Sequence, residues 1–410
     1  MEQQSYLVSL DVGTTKVCTI IAQQIEPNAL GSYEIIGMGS HPSHGLKKGS
    51  VINIGKTVNS IQASIEEATL MSGVKIESAI VGIAGSHIYS FNSTGVVAIK
   101  NKEINSEDVE RVLEAARAVV IPSDREVLHV IAQEYKVDNI SGVKNPIGMY
   151  GVRLEVRVHI VTGSVSLIQN LIKCVEKTGI KVSQLSLQPI ASSESVLTTD
   201  EKEVGTVLID IGGGTTDVAV WKDGSLVHSE IIPVGGNHFT NDLAVALRVT
   251  HSEAERIKIN HGSVLPEKFT KQSHITINKV GSDDVGEVSM KTIATVLGLR
   301  AEELFNIIKK SILEKNLLCD IHGGIVITGG GSLIDGLIYL GEYNFERSVK
   351  IGYPLSKTGM ASVMQKPQFS TALGLLNLAN VENNNKHVET GTELLNKFSE
   401  SLKSAFKEIF

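Results

Sequence analysis

The chain has 410 residues, 42% hydrophobic and 20% charged, and its 38 Lys and Arg against 45 Asp and Glu give a formal charge of −7. That length exceeds one ordinary core and predicts two domains, while the negative balance, without a Lys/Arg stripe to displace counterions, excludes a nucleic-acid groove and a nucleic-acid partner. Cys18, Cys174 and Cys319 each sit in an apolar stretch and read as reduced core residues, and neither a signal-peptide pattern nor a bilayer-spanning apolar run is found.

The first predicted element is a hairpin, with strands at Leu7–Leu10 and Val17–Ala22 around Asp11-Val12-Gly13-Thr14-Thr15-Lys16. A strand at Glu34–Met38, a helix from Thr57 to Ser72 stopped by Gly73, and a strand at Ala79–Ala84 follow. Residues 86–162 read as an inserted unit, with a strand near Gly95–Ile99, a helix at Ser106–Val119, a strand at Val127–Ile131 and alternation through Val152–Val161. The main pattern resumes with a helix at Val165–Thr178, a strand at Lys181–Leu187, the connection Gln188-Pro189 and a short helix at Ile190–Leu197.

From Val204 the opening pattern starts again. Leu10-Asp11-Val12-Gly13-Thr14-Thr15-Lys16-Val17 parallels Ile209-Asp210-Ile211-Gly212-Gly213-Gly214-Thr215-Thr216-Asp217-Val218, with a slightly longer second turn. A repeat half a chain apart implies two domains on one plan facing each other across a cleft. Helices at Asn237–Val249 and Ser252–Asn260, a strand near Ile275–Lys279 and a long helix at Ser289–Asn316 suggest an insertion in the second half as well. Next, Gly323 to Thr328 reads as a strand feeding Gly329-Gly330-Gly331-Ser332, a turn that opens a helix at Leu333–Leu340. Polar residues such as Asn383-Asn384-Asn385-Lys386 then suggest a linker.

Phosphate oxygens need donors without bulk, and Gly/Thr turns expose backbone N–H groups for that purpose. Gly13, Thr14 and Thr15, and across from them Gly212, Gly213, Gly214 and Thr215, fit this role, with Lys16 able to reach the outer phosphates as a point charge. Asp11 and Asp210, each ending a strand, would face each other and hold Mg²⁺ through waters, because Mg²⁺ dehydrates reluctantly. Gly329, Gly330, Gly331 and Ser332 would let the backbone approach a nucleoside. Either phosphate loop alone reads more readily as an ordinary hairpin turn; three elements in this order and spacing favour ATP.

With the Gln188-Pro189 connection, these loops resemble the phosphate, connecting and adenosine motifs of the actin, Hsp70 and sugar kinase ATPases. Within that superfamily the chain resembles the FtsA family of bacterial cell-division proteins over nearly all of residues 5–378. The most specific stretch runs from Gln133-Glu134-Tyr135-Lys136-Val137-Asp138 through Pro146-Ile147-Gly148-Met149 to Gly151-Val152-Arg153-Leu154-Glu155. The resemblance implies an α/β, two-lobed, ribonuclease H-like ATPase fold with a subdomain inserted in each lobe. Actin and MreB carry a subdomain between the third strand and the first helix, where Gly39–Lys56 is too short for one.

The implied division is 1–85 with 163–198 as subdomain 1A, 86–162 as a self-associating 1C, 199–237 with 311–378 as 2A, 238–310 as 2B, a linker at 379–391 and a helix at 392–410. It further implies adenosine contacts by Glu255 and Lys258, which a solvent-facing helix explains equally well, and docking of the FtsZ C-terminal peptide on the second insertion. Arg300 and Glu303 are candidate contacts there, although a surface ion pair accounts for them nearly as well. The implied protein polymerises on the inner face of the cytoplasmic membrane at the division site and recruits later division proteins. No residue is assigned to position water, with Asp210 and Asp217 the candidates, so hydrolysis is expected to be slow or absent and the protein is not read as an enzyme.

In the last segment Leu394, Leu395, Phe398, Leu402, Ala405, Phe406 and Ile409 share one helical face, an arc of roughly 120°. Glu393, Lys397, Glu400, Lys403 and Lys407 take the other, as in a helix that lies in a membrane surface. Packing on the protein's own core is the ordinary alternative, and the linker favours the membrane. A small-molecule kinase shares both phosphate loops but has no use for such a tail, and an Hsp70-type chaperone would need a peptide-binding domain after residue 380.

Overall fold

Tyr6–Val12 (β1) and Lys16–Gln24 (β2) pair antiparallel, from Tyr6 opposite Gln23 to Val12 opposite Val17. Both strands lack polar alternation because each face of their sheet is covered, and every β1 residue after Tyr6 is buried. The structure is a computed structural model describing residues 6–25, 33–270, 272–280, 285–355 and 362–385. Tyr33–Pro42 (β3) joins β2, and a small hairpin of Leu46–Lys47 (β4) and Ser50–Val51 (β5) leads into Ile54–Ser72 (α1). The Asn53 side chain accepts the Lys56 N–H to start α1, and Gly73, at a φ of 69°, ends it. Helix α1 lies tightly on β3, where a Cβ on Gly39 would come 1.9 Å from the Ser64 carbonyl oxygen.

Ser78–Ile83 (β6) returns parallel to β1. Then Tyr89–Ala98 (β7), Ser106–Arg117 (α2), Arg125–Val137 (β8), Ile140–Val143 (β9) and Arg153–Ser164 (β10) build a separate antiparallel sheet, ordered β7-β10-β8-β9, with its own core. Val165–Glu176 (α3) and Lys181–Leu187 (β11) complete the first five-stranded sheet, β11-β6-β1-β2-β3. Gln188–Val196 (α4) and Thr199–Val204 (α5) cross to the second lobe.

There, Thr206–Ile211 (β12), Thr216–Lys222 (β13) and Ser225–Ile232 (β14) precede Gly236–Leu247 (α6) and His251–His261 (α7). His274–Asn278 (β15) pairs with Val285–Ser289 (β16) ahead of Met290–Glu314 (α8). Ile325–Thr328 (β17), Leu337–Phe345 (α9), Val349–Ile351 (β18) and Ser370–Asn385 (α10) close the order. The second five-stranded sheet runs β14-β13-β12-β17-β18. Counted from its own start, each large sheet has the order 3-2-1-4-5, an antiparallel hairpin extended by parallel strands. The sequence repeat is therefore a repeat of whole lobes.

Four expectations are corrected. The second turn is no longer than the first: four residues separate Val12 from its partner Val17, and four separate Ile211 from Thr216. The look-alike Thr14-Thr15 and Thr215-Thr216 occupy different places, and Asp217 is the counterpart of Cys18, since they pair with Asp210 and Asp11. The glycine turn does not open a helix at Leu333; a 3-10 turn spans Gly330–Leu333, and α9 begins only at Leu337. Between them the chain runs beside Ser263–Leu265, where the Val264 N–H donates to the Asp335 carbonyl at 2.9 Å and a Cβ on Gly336 (φ 87°) would lie 2.5 Å from Leu265.

The linker expected from 379 is helical as far as Asn385, because α10 continues from the buried Ala372-Leu373 and Leu375-Leu376. Cys319 is exposed on a 3-10 turn, whereas Cys18 and Cys174 are buried. Leu394, Leu395, Phe398, Leu402, Phe406 and Ile409, with the rest of the predicted tail helix, lie outside the described residues.

Candidate functional site

The two hairpin turns close identically. The Gly13 N–H donates to the Lys16 carbonyl at 2.9 Å, and the Gly212 N–H donates to the Thr215 carbonyl at 2.9 Å. The turns also touch: a Cβ on Gly213 would lie 2.3 Å from Thr15 Cγ2, and one on Gly214 would lie 2.5 Å from Thr14 Oγ1. Glycine is needed there because the threonine side chains of the facing turn fill the space a Cβ would take. The second turn is tied to the start of α6 by the Gly236 N–H on the Gly212 carbonyl and the Asn237 N–H on the Gly213 carbonyl, both 2.8 Å. On the other side, the Gly49 N–H between β4 and β5 donates to Thr14 Oγ1 at 3.1 Å.

Behind the turns a cleft of about 480 Å³ separates the lobes, within the range of small-molecule sites. Asp11, Asp210 and Asp217 all line it, deeply buried at the ends of their strands. Asp11 Oδ1 accepts from Gln188 Nε2 at 3.0 Å, and Asp210 Oδ2 accepts from Thr371 Oγ1 at 3.1 Å. Asp217 Oδ1 has no hydrogen-bond partner. Burial raises the Asp11 carboxyl to about 6, opposed by Lys16 and assisted by Asp210. Burial likewise raises Asp210, against the pull of Thr371, Ser192 and Lys16, and drives Asp217 well above the usual range with help from Asp210 and Asp11. The acids thus feel one another across the cleft.

These carboxylates suit a hard cation, and the unpartnered Asp217 oxygen marks unused acceptor capacity. Among the described residues no group of three or more His, Cys, Asp or Glu side chains is arranged to hold a metal alone. Lys16 lines the cleft with its ammonium on the Gln368 carbonyl and 4.2 Å from the Phe369 ring centroid.

Farther along the cleft, Lys258 Nζ donates to Glu255 Oε2 at 2.7 Å, Thr240 Oγ1 at 2.9 Å and the Gly236 carbonyl at 3.2 Å, so this ion pair faces the cleft. Opposite lie Gly329, Gly330 and Gly331, and a Cβ on Gly329 would fall 2.2 Å from Asp210 Oδ1. Ser332 does not line the cleft; it is buried and its hydroxyl donates to the Gly329 carbonyl at 2.7 Å, bracing the turn. Arg300 and Glu303 lie apart on α8. The Arg300 guanidinium grips Asp242 of α6 at 2.6 and 3.1 Å and contacts Glu303 at 2.5 Å. Sequence reasoning missed Gly236 and Asn237, whose signal is the Gly235-Gly236 pair after β14, and Ile259, Pro367, Gln368 and Thr371, for which the sequence carries no signal.

Comparison with known proteins addresses this architecture. The family model described as "Cell division protein FtsA" matches residues 207–374, and "SHS2 domain inserted in FTSA" matches residues 85–162. The cell division protein FtsA of Pseudomonas aeruginosa is 46% identical over 370 residues, covering 90% of this chain and 88% of that protein. The FtsA of Borreliella burgdorferi is 44% identical over 414 residues, covering 99% and 100%. The chain belongs to the FtsA family.

It is thus a cell-division protein, and its fold is that of the actin-like ATPases. A chain of the PilM-PilN type IV pilus biogenesis complex superposes with a TM-score of 0.66 at 15% identity, over 91% of this chain and 98% of that one. MreB5 of Spiroplasma citri bound to ADP gives 0.56 at 16% identity, over 93% and 98%. The family's inserted domain coincides with the separate sheet β7-β10-β8-β9.

Proposed function

We propose that this cell-division protein binds ATP and Mg²⁺ in the cleft, self-associates on the inner face of the cytoplasmic membrane at the division site, and tethers FtsZ there while recruiting later division proteins. One observation carries the reading: two identically closed glycine turns, one per lobe, meet over three buried carboxylates and a lysine. The N–H groups of Thr14 and Thr15 and of Gly213, Gly214 and Thr215 would receive phosphate oxygens, those of Gly13 and Gly212 closing the turns, and Lys16 adds a point charge. Asp11 and Asp210 would hold Mg²⁺ through its waters, and Mg²⁺ neutralises phosphate charge when bound. The Glu255–Lys258 pair and Gly329–Gly331 take the nucleoside.

Turnover is slow at most on this reading. Burial, with Asp210 and Asp11 nearby, raises Asp217 well above the usual carboxylate range, and no residue of the cleft is assigned to position an attacking water. ATP bridging the lobes would fix their angle and so govern longitudinal self-association, with the inserted sheet of 86–162 supplying one contact. FtsZ's C-terminal peptide would dock on the 238–310 insertion. There Leu299, 64% exposed on α8, and Glu303 line a shallow open patch, and Arg300, anchored by Asp242, pairs with Glu303.

Among the described residues no helix is long and apolar enough to cross a membrane. Attachment would be through the apolar face of Leu394, Leu395, Phe398, Leu402, Phe406 and Ile409. Half a dozen partly immersed side chains give about 5–10 kcal/mol before ordering costs, a reversible anchor that filament avidity strengthens by about 10²–10⁴-fold. Liposome co-sedimentation tests the tether. Removing residues 392–410 is expected to leave the protein, and FtsZ added with it, in the supernatant; undiminished pelleting would locate the anchor elsewhere.

A further inference from the structure

Helix α10 starts at the floor of the cleft, and both lobes hold its beginning. From the first lobe, Lys16 places its ammonium on the Gln368 carbonyl and 4.2 Å from the centroid of the buried Phe369 ring. From the second, Asp210 Oδ2 accepts the Thr371 hydroxyl at 3.1 Å, and the Thr328 hydroxyl meets Ser370 Oγ at 2.7 Å. The body of α10 packs mainly on the first lobe's sheet and on the crossing helix α4. Ala372, Leu373 and Leu376 pack with Leu7, Cys18, Ile20 and Ala22 of β1 and β2, and Asn377 accepts from Tyr33 Oη at 2.5 Å. The short segment 366–371 is thus held by Lys16 and Asp210, the groups assigned to phosphate and Mg²⁺, in addition to the place of Phe369 in that core, while 372–379 is held without them.

An ammonium has three donors in a compact head and cannot fully serve a carbonyl, a ring face and the phosphate oxygens on the cleft side together. The bond to the Gln368 carbonyl is charge-assisted from the donor side only, whereas phosphate oxygens carry full negative charge and add ion pairing, so phosphate wins the competition. We propose that the Lys16–Gln368–Phe369 contact, with Thr371 on Asp210, is a latch on α10 that a bound nucleoside triphosphate opens by drawing Lys16 toward its phosphates. The inference rests on the nucleotide reading above and adds its consequence: site occupancy changes the hold on α10, which runs from the cleft to Asn385. Segment 366–371 loosens on binding, and 372–379 does not.

Amide hydrogen exchange on the full-length protein, with and without ATP–Mg²⁺, tests this directly, alongside the binding of a fluorescent ATP analogue. The latch predicts exchange about threefold or more faster in peptides covering 366–371, with 372–379 unchanged. Phe369→Leu, which removes the ring from beneath the ammonium, should tighten ATP binding about two- to fivefold. Bound nucleotide with unchanged or slower exchange at 366–371 overturns the latch and leaves the nucleotide reading standing. Weaker or equal affinity in a Phe369→Leu protein that melts like the parent also overturns it, and no binding of the analogue at all removes both.

Discussion

Asp11, Asp210 and Asp217 share one buried cleft, and their mutual repulsion is a standing cost to the fold unless protons or a cation offset it. Asp210→Asn keeps the shape and the acceptor for Thr371 while deleting one charge. It should stabilise the ligand-free protein by about 1–3 kcal/mol, yet weaken Mg²⁺–ATP about tenfold or more. Thermal melts with and without Mg²⁺–ATP check both halves: a higher basal midpoint with a smaller ligand-induced shift is expected, and a lower basal midpoint would contradict the repulsion argument. Gly213→Val tests the meeting of the turns, since even its Cβ would lie 2.3 Å from Thr15. Nucleotide affinity should fall at least tenfold with the circular dichroism spectrum unchanged.

Among the elements, the α4–α10 crossing is the closest approach between the helices at the lobe junction. A Cβ on Gly374 would sit 1.6 Å from the Ala191 carbonyl oxygen, so Gly374→Ala must push the helices apart, at a cost of about 1–3 kcal/mol in urea unfolding. The inserted sheet meets β14 of the second lobe through polar groups. His159 bonds to Asn92 Oδ1 at 2.7 Å and Ser229 Oγ at 2.9 Å, and Ser90 Oγ donates to the Ser229 carbonyl at 2.6 Å. Burial depresses His159 from 6.5 to about 3, with His228 and His129 adding to it, and depresses His129 from 6.5 to about 4.

A depressed folded-state value means the unfolded chain takes up the proton first. The contribution of these histidines is therefore full above pH 6.5 and drains away as pH falls toward 4. His129→Gln should abolish about 2 kcal/mol of the stability lost between pH 7 and pH 5, read as the difference between the two proteins' pH–stability curves. Equal slopes would show that His129 is not held neutral. The cleft acids, with raised values, oppose this trend, which is why the difference and not the raw curve is informative.

At the scale of the whole molecule, the sequence showed the two Asp-Gly hairpins clearly because each compresses a strand, an acid and a turn into eight or ten residues. Most strands and helices around them were legible from periodicity, but β14 and β18 were not, and β7 begins at Tyr89 and β8 ends at Val137, each six residues beyond the expected bound. What escaped has a physical reason each time. The equal length of the two turns is set by pairing register, which threonines placed at different steps disguised. The late start of α9 is set by the strand-like passage past Val264 and Leu265, a tertiary contact with no local signal. Thr371 and Gln368 enter the cleft from a helix start some 160 residues from Asp210, and nothing in Lys366-Pro367-Gln368-Phe369 announces it. Gly213 and Thr15 are likewise brought together only by closing one lobe on the other.

That closure is the centre of the account, and calorimetric titration of ATP into the full-length protein, with Mg²⁺ and with excess EDTA, tests it most directly. One-site binding that weakens about tenfold or more without Mg²⁺, and loses that metal dependence in an Asp11→Asn, Asp210→Asn double variant, is the predicted result. Absence of ATP binding, or an affinity indifferent to both the metal and the two acids, would contradict it.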